Sequence, residues 1–455
     1  MDAELFVKDL VARARAAQQV FENSTQEQVD EAVRVIAKAI FDNAEPLARM
    51  AVDETRMGVY EDKVKKNMGK ARVLWNELKG KKSVGIIDRL PEEGLVLVAK
   101  PMGVVGAVTP TTNPIVTPMC NAMFALKGRN AIVICPHPRS KKCSAEAVRL
   151  MKEALVPLGV PQDIIQIIEE PTVELSSQVM KQCDVCISTG GMGMVRAAYA
   201  SGKPAFGVGA GNVQCMIDED VDLEKAIPMI IEGRRFDNGI ICSGEQTAIM
   251  PKAIYARAIE IFKKNGCLYI DKPEDVAKLR ATLFPGGVMD KNVVGQTAKK
   301  VAQLCGFEYE DDLKVILVKA DAYGKDDLLS KEKMCPVIAT YDFLENWDDC
   351  IKCAHANLNV EGKGHSVCIH SGNEAHIEAA AQVLPVSRFL IGQVCATSNG
   401  GSFFNSLSAT TTLGCGSWGN NSISENLSWK HLFNVSRIAY IRPGSTQPSD
   451  EEIWG

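Results

Sequence analysis

The first 80 residues carry the hydrophobic period of α-helices. Apolar residues recur at spacings of three and four at Val29, Val33, Ile36 and Ile40, which places them on one helical face. Residues 24–27 (Ser-Thr-Gln-Glu) precede this run and have the composition of a capping box, a signature of a helix N-terminus. The segment is predicted to supply packing helices and no chemistry.

From residue 104 to residue 217 the pattern changes to short apolar runs separated by helical stretches. The six runs are residues 104–108, 131–135, 164–168, 185–188, 205–208 and 213–217. Strands that alternate with helices are typical of a doubly wound, largely parallel sheet, which binds ligands beyond the carboxyl ends of its strands. Two further runs, 84–87 and 94–100, are separated by Pro91, Glu92 and Glu93 and predict a β-hairpin.

The composition is that of a soluble globular protein. Of the 455 residues, 46% are hydrophobic and 24% are charged, which fits two or three domains with a sizeable core. A net charge of -5 argues against nucleic acid or an anionic membrane surface as the main partner, although a small anionic ligand needs only a local basic site. No apolar run reaches the roughly 18 to 20 residues of a membrane span, and the acidic N-terminus does not resemble a signal peptide. With 15 cysteines in no regular framework, a cytoplasmic, reducing environment is expected.

Four residues have a spacing close to that of a zinc finger, namely Cys350, Cys353, His365 and His370. A zinc finger also needs a hairpin and a helix between its ligand pairs, whereas residues 354–358 read as the end of a helix and 362–364 as a loop into a strand. The spacing is therefore interpreted as accidental, and no metal is expected. A non-enzymatic zinc-binding or scaffold protein is the alternative from a different class.

Cys242 has the surroundings of a nucleophilic thiol. Gly239 and Gly244 bracket it, and a strand-like stretch, 247–250, follows at once, so the sulfur is expected at a tight turn that a substrate can reach. Thiol attack on a carbonyl needs donors for the resulting oxyanion, and the side-chain amide of Asn113 could be one. The alternative interpretation is a small buried hydrophobe, which most of the 15 cysteines are expected to be.

A resemblance to a known family decides between these two interpretations. Four stretches, at 108–114 (Val-Thr-Pro-Thr-Thr-Asn-Pro), 188–191, 236–246 and 332–337, follow in an order that resembles the aldehyde dehydrogenase superfamily. Further stretches at 136–139 (Pro-His-Pro-Arg), 362–365 (Gly-Lys-Gly-His), 413–419, 421–426 and 451–455 are similar to its coenzyme A-acylating branch, above all to members that act on succinate semialdehyde. The match runs nearly end to end.

The resemblance implies an α/β fold in three parts. Residues 1–83 and 101–223 would form a Rossmann-type dinucleotide-binding domain, and residues 224–424 an α/β catalytic domain. Residues 84–100 and 425–455 would form a β-arm that joins subunits, which implies a homodimer or homotetramer.

The resemblance also assigns catalytic roles. Cys242 would add to an aldehyde, with Asn113 and the Cys242 backbone N–H holding the oxyanion. Hydrolytic members carry a glutamate base where this chain has Val208, so the thioester should be cleared by the thiol of CoA. His365 would take the proton of that thiol or orient the thioester, because an unperturbed imidazole titrates near neutral pH. A hydrolytic aldehyde dehydrogenase is the alternative that this reasoning disfavours.

The expected cofactor is NADP, with NAD also possible. Residues 137–141 offer donors for a 2'-phosphate where NAD-specific relatives often have a glutamate, although acylating relatives that use NAD carry a similar stretch. The residues expected at the cofactor are Thr109, Pro110, His137, Pro138, Arg139, Ser140, Lys141, Thr189, Gly190, Gly191, Gly209, Glu332 and Pro336.

The expected substrate pair is succinate semialdehyde and succinyl-CoA. Its far carboxylate needs hydrogen-bond donors, and the candidates around the substrate are Thr117, Ile241, Ser243 and Arg388. An acylating dehydrogenase of acetaldehyde or another short-chain aldehyde is the alternative substrate assignment.

Overall fold

The computed structural model describes residues 2–455, apart from the side chain of Met192. The chain begins with four helices: α1 (Ala3–Phe21), α2 (Gln26–Asp42), α3 (Ala44–Thr55) and α4 (Tyr60–Leu78). The predicted apolar face of α2 is confirmed, since Val29, Val33, Ile36 and Ile40 are fully buried. The capping box lies one residue later than its predicted position, because the Thr25 side chain pairs with the Gln28 backbone and the Gln28 side chain with the Thr25 backbone.

A hairpin follows, formed by β1 (Gly85–Leu90) and β2 (Leu95–Pro101). The two strands are antiparallel, as predicted.

The next segment is the predicted parallel sheet. Its elements are β3 (Val104–Thr109), α5 (Val116–Lys127), β4 (Ala131–Pro136), α6 (Lys141–Leu155), β5 (Ile165–Ile167), α7 (Val173–Gln182), β6 (Val185–Thr189), α8 (Met192–Tyr199) and β7 (Ala205–Val208). The strand order is β5-β4-β3-β6-β7 with all pairs parallel. From β3 the chain adds strands towards one edge of the sheet, and from β6 it adds them towards the other edge. Sheets of this kind bind a ligand in the crevice at such a switch point, here between β3 and β6.

The second half of the chain builds another parallel layer. Its elements are β8 (Gln214–Ile217), α9 (Leu223–Arg235), β9 (Thr247–Ala248), α10 (Lys252–Lys264), β10 (Cys267–Ile270), α11 (Pro273–Leu283), α12 (Ala298–Cys305), β11 (Val315–Lys319), β12 (Val337–Thr340), α13 (Trp347–Val360), β13 (Gly364–His370), α14 (Glu374–Val383), β14 (Val386–Ile391) and α15 (Cys395–Ser398). The strand orders are β10-β11-β12-β9 and β14-β13-β8, and a bridge between Met216 and Ile249 joins the two sets.

The sixth apolar run corrects the sequence-based picture. Residues 213–217 were expected in the first sheet, but β8 pairs with β13 of the second layer. A buried apolar run contains no information about which parallel neighbour it joins, since that pairing is non-local. We therefore propose that the dinucleotide-binding region ends before β8 and not at residue 223, and the other domain limits stay predictions.

The chain ends with β15 (Phe433–Ala439) and α16 (Asp450–Trp454). β15 pairs antiparallel with β2 and completes a three-stranded sheet in the order β1-β2-β15. The predicted role of this sheet in joining subunits stays a prediction. Within residues 2–455 no helix combines the length and the apolar character that a bilayer crossing requires.

Candidate active site

Cys242 lies on a turn whose backbone is strained. α9 ends at Arg235, and Asp237, Asn238 and Gly239 then adopt φ values of 51°, 53° and 70°. This left-handed conformation costs a non-glycine residue roughly 1–2 kcal/mol. Gly239 also has no room for a side chain, because a Cβ there would lie 2.8 Å from the Cys335 backbone. The predicted tight turn is therefore present, and two strained residues stand just ahead of the candidate nucleophile.

The Cys242 sulfur lies at the edge of an apolar cluster formed by Val208, Leu413 and Cys415. Burial, followed by the nearby Glu332 carboxylate, raises the pKa of the Cys242 thiol to about 12. Its own backbone N–H approaches the sulfur, as an oxyanion donor at this position would. In the unliganded chain the residue is thus a neutral thiol with a donor beside it.

Gly209 and Gly211 bring the segment after β7 against this turn. A Cβ at Gly211 would lie 1.9 Å from the Cys242 carbonyl oxygen and 2.9 Å from a Glu332 carboxylate oxygen, so only glycine fits there. The backbone N–H of Gly209 approaches Cys415 and opposes the rise in pKa that burial imposes on that thiol. Gly209, predicted at the cofactor, therefore lies beside the cluster around Cys242.

Asn113 follows β3 and opens towards the same cavity as Cys242. The Lys66 ammonium donates to Asn113 Oδ1 at 2.9 Å, which fixes the orientation of the amide because an ammonium has no acceptor. The Asn113 amide nitrogen has no partner within residues 2–455. It is available as a donor, as the oxyanion role requires.

The cavity in front of Cys242 has a volume of about 460 Å³. The residues of its wall that bear on the chemistry are Lys65, Lys66, Lys70, Asn113, Ile241, Cys242, Ser243, Phe403 and Phe404. The expected substrate residues Ile241 and Ser243 are therefore brought to the nucleophile, with the Ser243 hydroxyl donating to the Ala396 carbonyl at 3.0 Å.

Two other expected substrate residues lie elsewhere. Arg388 is buried outside the cavity wall, and its guanidinium donates to the carbonyls of His365 and Gly414, both at 2.8 Å, and to Asn426 Oδ1 at 3.2 Å. Thr117 is buried in α5 and does not reach the cavity. Arg388 is therefore committed to backbone carbonyls and to Asn426. Asn113 and Val116 are the residues at the start of α5 that line the cavity, and Thr117 points into the protein.

His365 is also buried, at the start of β13, and it does not line the cavity. Burial, and then the Arg388 charge, lower the pKa of the imidazole to about 3. Both ring nitrogens lack a hydrogen-bond partner in the described part of the chain. The imidazole is thus neutral at physiological pH and has both nitrogens available.

Three lysines of α4 form the part of the site that sequence reasoning missed. Lys63, Lys66 and Lys70 recur at spacings of three and four, the period that normally marks the buried face of a helix. Charged residues at the spacing of a buried helical face are unusual, and this feature of the sequence could have identified the three lysines. Lys70 donates to the Gly400 carbonyl at 2.8 Å and has no ion-pair partner among residues 2–455. Burial lowers the pKa of Lys70 to about 8.

The carboxyl ends of β3 and β6 form a site that fits a dinucleotide. Thr109 and Thr189 end these two strands, and the buried hydroxyls of Thr109 and Ser188 have no partner within residues 2–455. Beyond them, a Cβ at Gly190 or Gly191 would meet no atom within 4 Å, so this edge is open. Pro110 follows Thr109 and is half-buried. Unpaired buried hydroxyls beside an open glycine turn match the needs of a phosphate-bearing ligand.

The residues expected at the 2'-phosphate divide into two groups. His137, Pro138 and Arg139 are exposed just after β4. Ser140 is buried, and its hydroxyl donates to the His137 carbonyl at 3.3 Å, so it is not available. Lys141 forms an ion pair with Glu170.

A carboxylate from α3 occupies the N-terminus of α6. Glu54 accepts from the Lys142 and Cys143 backbone N–H groups at 2.9 and 2.8 Å. The helix N-terminus is therefore already satisfied, and a phosphate near it would depend on the exposed side chains, chiefly Arg139.

The two expected cofactor residues near 334 differ in accessibility. Glu332 lies near Cys242 across Gly211, and burial, with the neighbouring Glu361 carboxylate, raises the pKa of Glu332 to about 7. Pro336 is buried at the start of β12, where its carbonyl accepts from the Ile316 N–H at 2.9 Å. Glu332 therefore lies near Cys242, whereas Pro336 is part of the sheet.

The zinc-finger spacing does not assemble a site. Cys350 and Cys353 lie on α13, and His365 and His370 lie at opposite ends of β13. In the part of the chain that the structure describes, the group with metal-ligand proximity contains His370 with Cys215 and Cys368 instead. Cys368 Sγ lies 3.6 Å from His370 Nε2, which a thiol–imidazole hydrogen bond explains.

Comparisons with known proteins identify the family of the chain. The model described as the aldehyde dehydrogenase family matches residues 2–280. The chain is 50% identical over 455 residues to a succinate-semialdehyde dehydrogenase (acetylating) of Clostridium kluyveri, covering 100% of both chains. It is 38% identical over 461 residues to a sulfoacetaldehyde dehydrogenase of Acholeplasma sp, covering 99% of this chain and 93% of that one.

Solved structures have the same fold. An acetylating aldehyde dehydrogenase from Geobacillus thermoglucosidasius has a TM-score of 0.93 at 36% identity, covering 98% of both chains. A propionaldehyde dehydrogenase from Rhodopseudomonas palustris, solved with bound CoA and an acylated cysteine, has a TM-score of 0.84 at 27% identity, covering 96% of this chain and 97% of that one. An engineered glycolyl-CoA reductase with bound NADP+ has a TM-score of 0.84 at 28% identity, covering 96% of both chains.

Proposed function

This chain belongs to the aldehyde dehydrogenase family, and we propose that it interconverts succinate semialdehyde and succinyl-CoA with the use of CoA and NADP. The reaction passes through a thioester on Cys242. It is reversible, because a thioester retains much of the free energy of the oxidation. Identity of 50% along the whole chain to the Clostridium kluyveri enzyme supports both the reaction and the substrate.

Cys242 is the nucleophile of the oxidative half-reaction. Its sulfur adds to the aldehyde carbon, and the Asn113 amide and the Cys242 backbone N–H hold the oxyanion that forms. A bound nicotinamide supplies the hydride acceptor, and the product is an acyl group on Cys242. The thiol has to lose its proton for this attack, since the pKa of about 12 keeps it neutral in the unliganded chain.

The thiol of CoA clears the acyl group. Val208 packs against Cys242 where hydrolytic members have a base, and an isopropyl group can neither bind a water molecule firmly nor accept its proton. His365 is not assigned the proton of that thiol. An imidazole with a pKa of about 3 is too weak a base for a thiol, and the buried ring does not line the cavity in front of Cys242.

The unpaired ammonium of Lys70 at the cavity is the single observation that supports an anionic substrate. It reaches the cavity of Cys242 as a part-buried ammonium without a carboxylate partner in the described chain, and one acceptor leaves two of its three N–H groups free. A buried cation is costly unless it is paired, so this arrangement favours an aldehyde with a negative group at its far end. We assign the far carboxylate of succinate semialdehyde to Lys70, since the Ser243 hydroxyl already donates its proton to the Ala396 carbonyl.

The other two lysines of the cavity wall, Lys66 and Lys65, are less suited to bind the far carboxylate. Lys66 already donates to three acceptors, namely Asp237, Asn113 and the Thr112 carbonyl. Lys65 is exposed, with 67% of its side chain accessible, so water screens its charge. Sulfoacetaldehyde also bears a distal anion, and the similarity to a sulfoacetaldehyde dehydrogenase makes it the second candidate substrate.

NADP is proposed as the cofactor on the strength of Arg139. Its guanidinium is exposed beside the carboxyl end of β4 and can meet a 2'-phosphate, while Lys141 is paired with Glu170. The residues proposed to hold the rest of the cofactor are Thr109, Pro110, Thr189, Gly190, Gly191 and Glu332. The sheet β1-β2-β15 is proposed to join subunits into a homodimer or homotetramer of a cytoplasmic enzyme.

The deciding experiment compares substrates. Reduction of succinyl-, acetyl-, propionyl- and butyryl-CoA is measured with NADPH and with NADH, and oxidation of succinate semialdehyde is compared with that of sulfoacetaldehyde. Succinyl-CoA with NADPH should have the highest kcat/KM. Equal efficiency with butyryl- or acetyl-CoA would reassign the protein to short-chain aldehydes, and preference for sulfoacetaldehyde would favour the second candidate.

A further inference from the structure

The strained residues ahead of Cys242 depend on contacts from α4. Asp237 and Asn238 hold left-handed backbone conformations, which persist only where surrounding contacts determine them. The Asn238 side chain donates to the carbonyls of Gly295 at 3.0 Å and Gly58 at 3.3 Å. Asp237 makes the stronger set of contacts.

The Asp237 carboxylate is completely buried and satisfied by α4. Lys66 Nζ lies 2.6 Å and Lys63 Nζ 3.1 Å from Oδ2, and the Val59 N–H donates to Oδ1 at 2.8 Å. Burial by itself would raise the pKa of Asp237, but the two lysines outweigh it and hold the pKa below its ordinary value. Asp237 is therefore a buried anion between two cations, and it anchors the loop of the nucleophile to α4.

Lys66 connects this anchor to the oxyanion donor. Besides Asp237, its ammonium donates to Asn113 Oδ1 at 2.9 Å and to the Thr112 carbonyl at 3.4 Å. Because an ammonium can only donate, the Asn113 oxygen must face Lys66 and the amide nitrogen must face away from it. On the side away from the cavity, the space beside Asn113 and Lys66 amounts to about 10 Å³, no more than one water molecule.

We propose that Lys66 is a positioning residue for catalysis, which holds the Asn113 amide with its nitrogen towards the cavity and is itself held in place by Asp237. A charged donor on the amide oxygen also polarises the amide and strengthens its N–H as an oxyanion donor. Asp237 keeps Lys63 and the Val59 N–H as partners when Lys66 is absent, so the nucleophile turn does not depend on Lys66 alone, whereas the Asn113 oxygen has Lys66 as its donor. This inference rests on the proposed function in one respect, that Asn113 holds an oxyanion.

The test uses two reactions of Cys242 that need neither cofactor nor CoA. In the first, the sulfur attacks the carbonyl of p-nitrophenyl acetate: a C–S bond forms through an oxyanion, p-nitrophenolate leaves and the thiol proton goes to solvent. In the second, the sulfur displaces iodide from iodoacetamide at a saturated carbon, with no oxyanion. Only the first reaction depends on Asn113, whereas both depend on an intact turn.

Lys66→Met should slow the p-nitrophenolate burst about tenfold or more and leave the iodoacetamide rate within about twofold. In an Asn113→Ala background, where the oxyanion donor is already absent, Lys66→Met should slow the burst by less than about twofold further. Lys79→Met is the matched control, since this exposed lysine follows the end of α4 and should change neither rate.

Equal slowing of both reactions would overturn the proposal, because Lys66 would then act through the turn alone. Multiplicative losses in the double variant would overturn it as well. Lys66→Gln provides a second test if the methionine variant does not fold. Its amide can still donate to Asp237, but it can also accept, so it does not fix the Asn113 amide and the same selective loss is expected. Absence of acyl-CoA reduction by the unaltered enzyme would count against the proposed function and not against this inference.

Discussion

Val208 packs against Cys242 in the apolar cluster that also contains Leu413 and Cys415. A side chain without any proton-accepting group therefore lies beside the sulfur that is proposed to carry the acyl group. This packing supports the proposed choice of CoA over water as acyl acceptor, because Val208 cannot activate water for attack on the thioester.

Replacing Val208 with glutamate is expected to permit oxidation of succinate semialdehyde without CoA, at a slow rate, since a carboxylate beside the thioester can activate water. The release of free succinate and the reduction of NADP+ are measured without CoA. Val208→Gln is the control, because it is polar but cannot act as a base. Many turnovers without CoA by the unaltered enzyme would contradict the premise.

Lys70→Met is expected to lower kcat/KM for succinyl-CoA by about tenfold to a hundredfold and to leave that for butyryl-CoA within about twofold, since one charge-assisted hydrogen bond contributes roughly 1.5–3 kcal/mol. Steady-state kinetics with both substrates measure the ratio, and Lys79→Met controls for the loss of a lysine. Parallel losses with both substrates would show that Lys70 does not contact the far carboxylate.

The same lysine predicts a pH dependence. Because the pKa of Lys70 is about 8, its positive charge is present below that pH and is lost as the pH rises through it. The ratio of kcat/KM for succinyl-CoA to that for butyryl-CoA should therefore fall between pH 7 and pH 9.5, by about tenfold. Ionisations that affect both substrates equally cancel in this ratio. A ratio that stays constant or rises over this range would contradict the assignment.

Arg139→Ala is expected to raise the Michaelis constant for NADPH about tenfold or more and to change that for NADH by less than about twofold, because only the 2'-phosphate needs the guanidinium. Lys141→Ala is the comparison. Its ammonium is already paired with Glu170, so its loss should cost less. Equal effects of Arg139→Ala on both cofactors would remove Arg139 from the 2'-phosphate site.

Alkylation of Cys242 in the unliganded enzyme should accelerate about tenfold per pH unit from pH 7 to pH 10 without a plateau, because the pKa of about 12 leaves little thiolate over this range. The rate is measured with iodoacetamide by mass spectrometry of the peptide that contains Cys242. The Cys242→Ala variant provides the background. A plateau near pH 8.5, the ordinary thiol pKa, would show that the thiol is not shifted.

The sequence by itself determined the local features. Apolar runs of strand length identified five strands of the first sheet, the spacing of Val29, Val33, Ile36 and Ile40 identified the buried face of α2, and two glycines around Cys242 identified its turn. These features depend on neighbours in the chain, so their signal is present in a short stretch of sequence.

Only the tertiary structure decided which distant residues meet. It moved 213–217 to the second layer, enclosed Arg388 among backbone carbonyls, and brought Lys66 and Lys70 to the cavity of Cys242. A helical period shows that one face of α4 is covered, but it contains no information about the group that covers it. Parallel pairing and the partner of a buried charge are set by contacts across more than a hundred residues, as between Lys66 and Asp237. No local pattern reports such contacts.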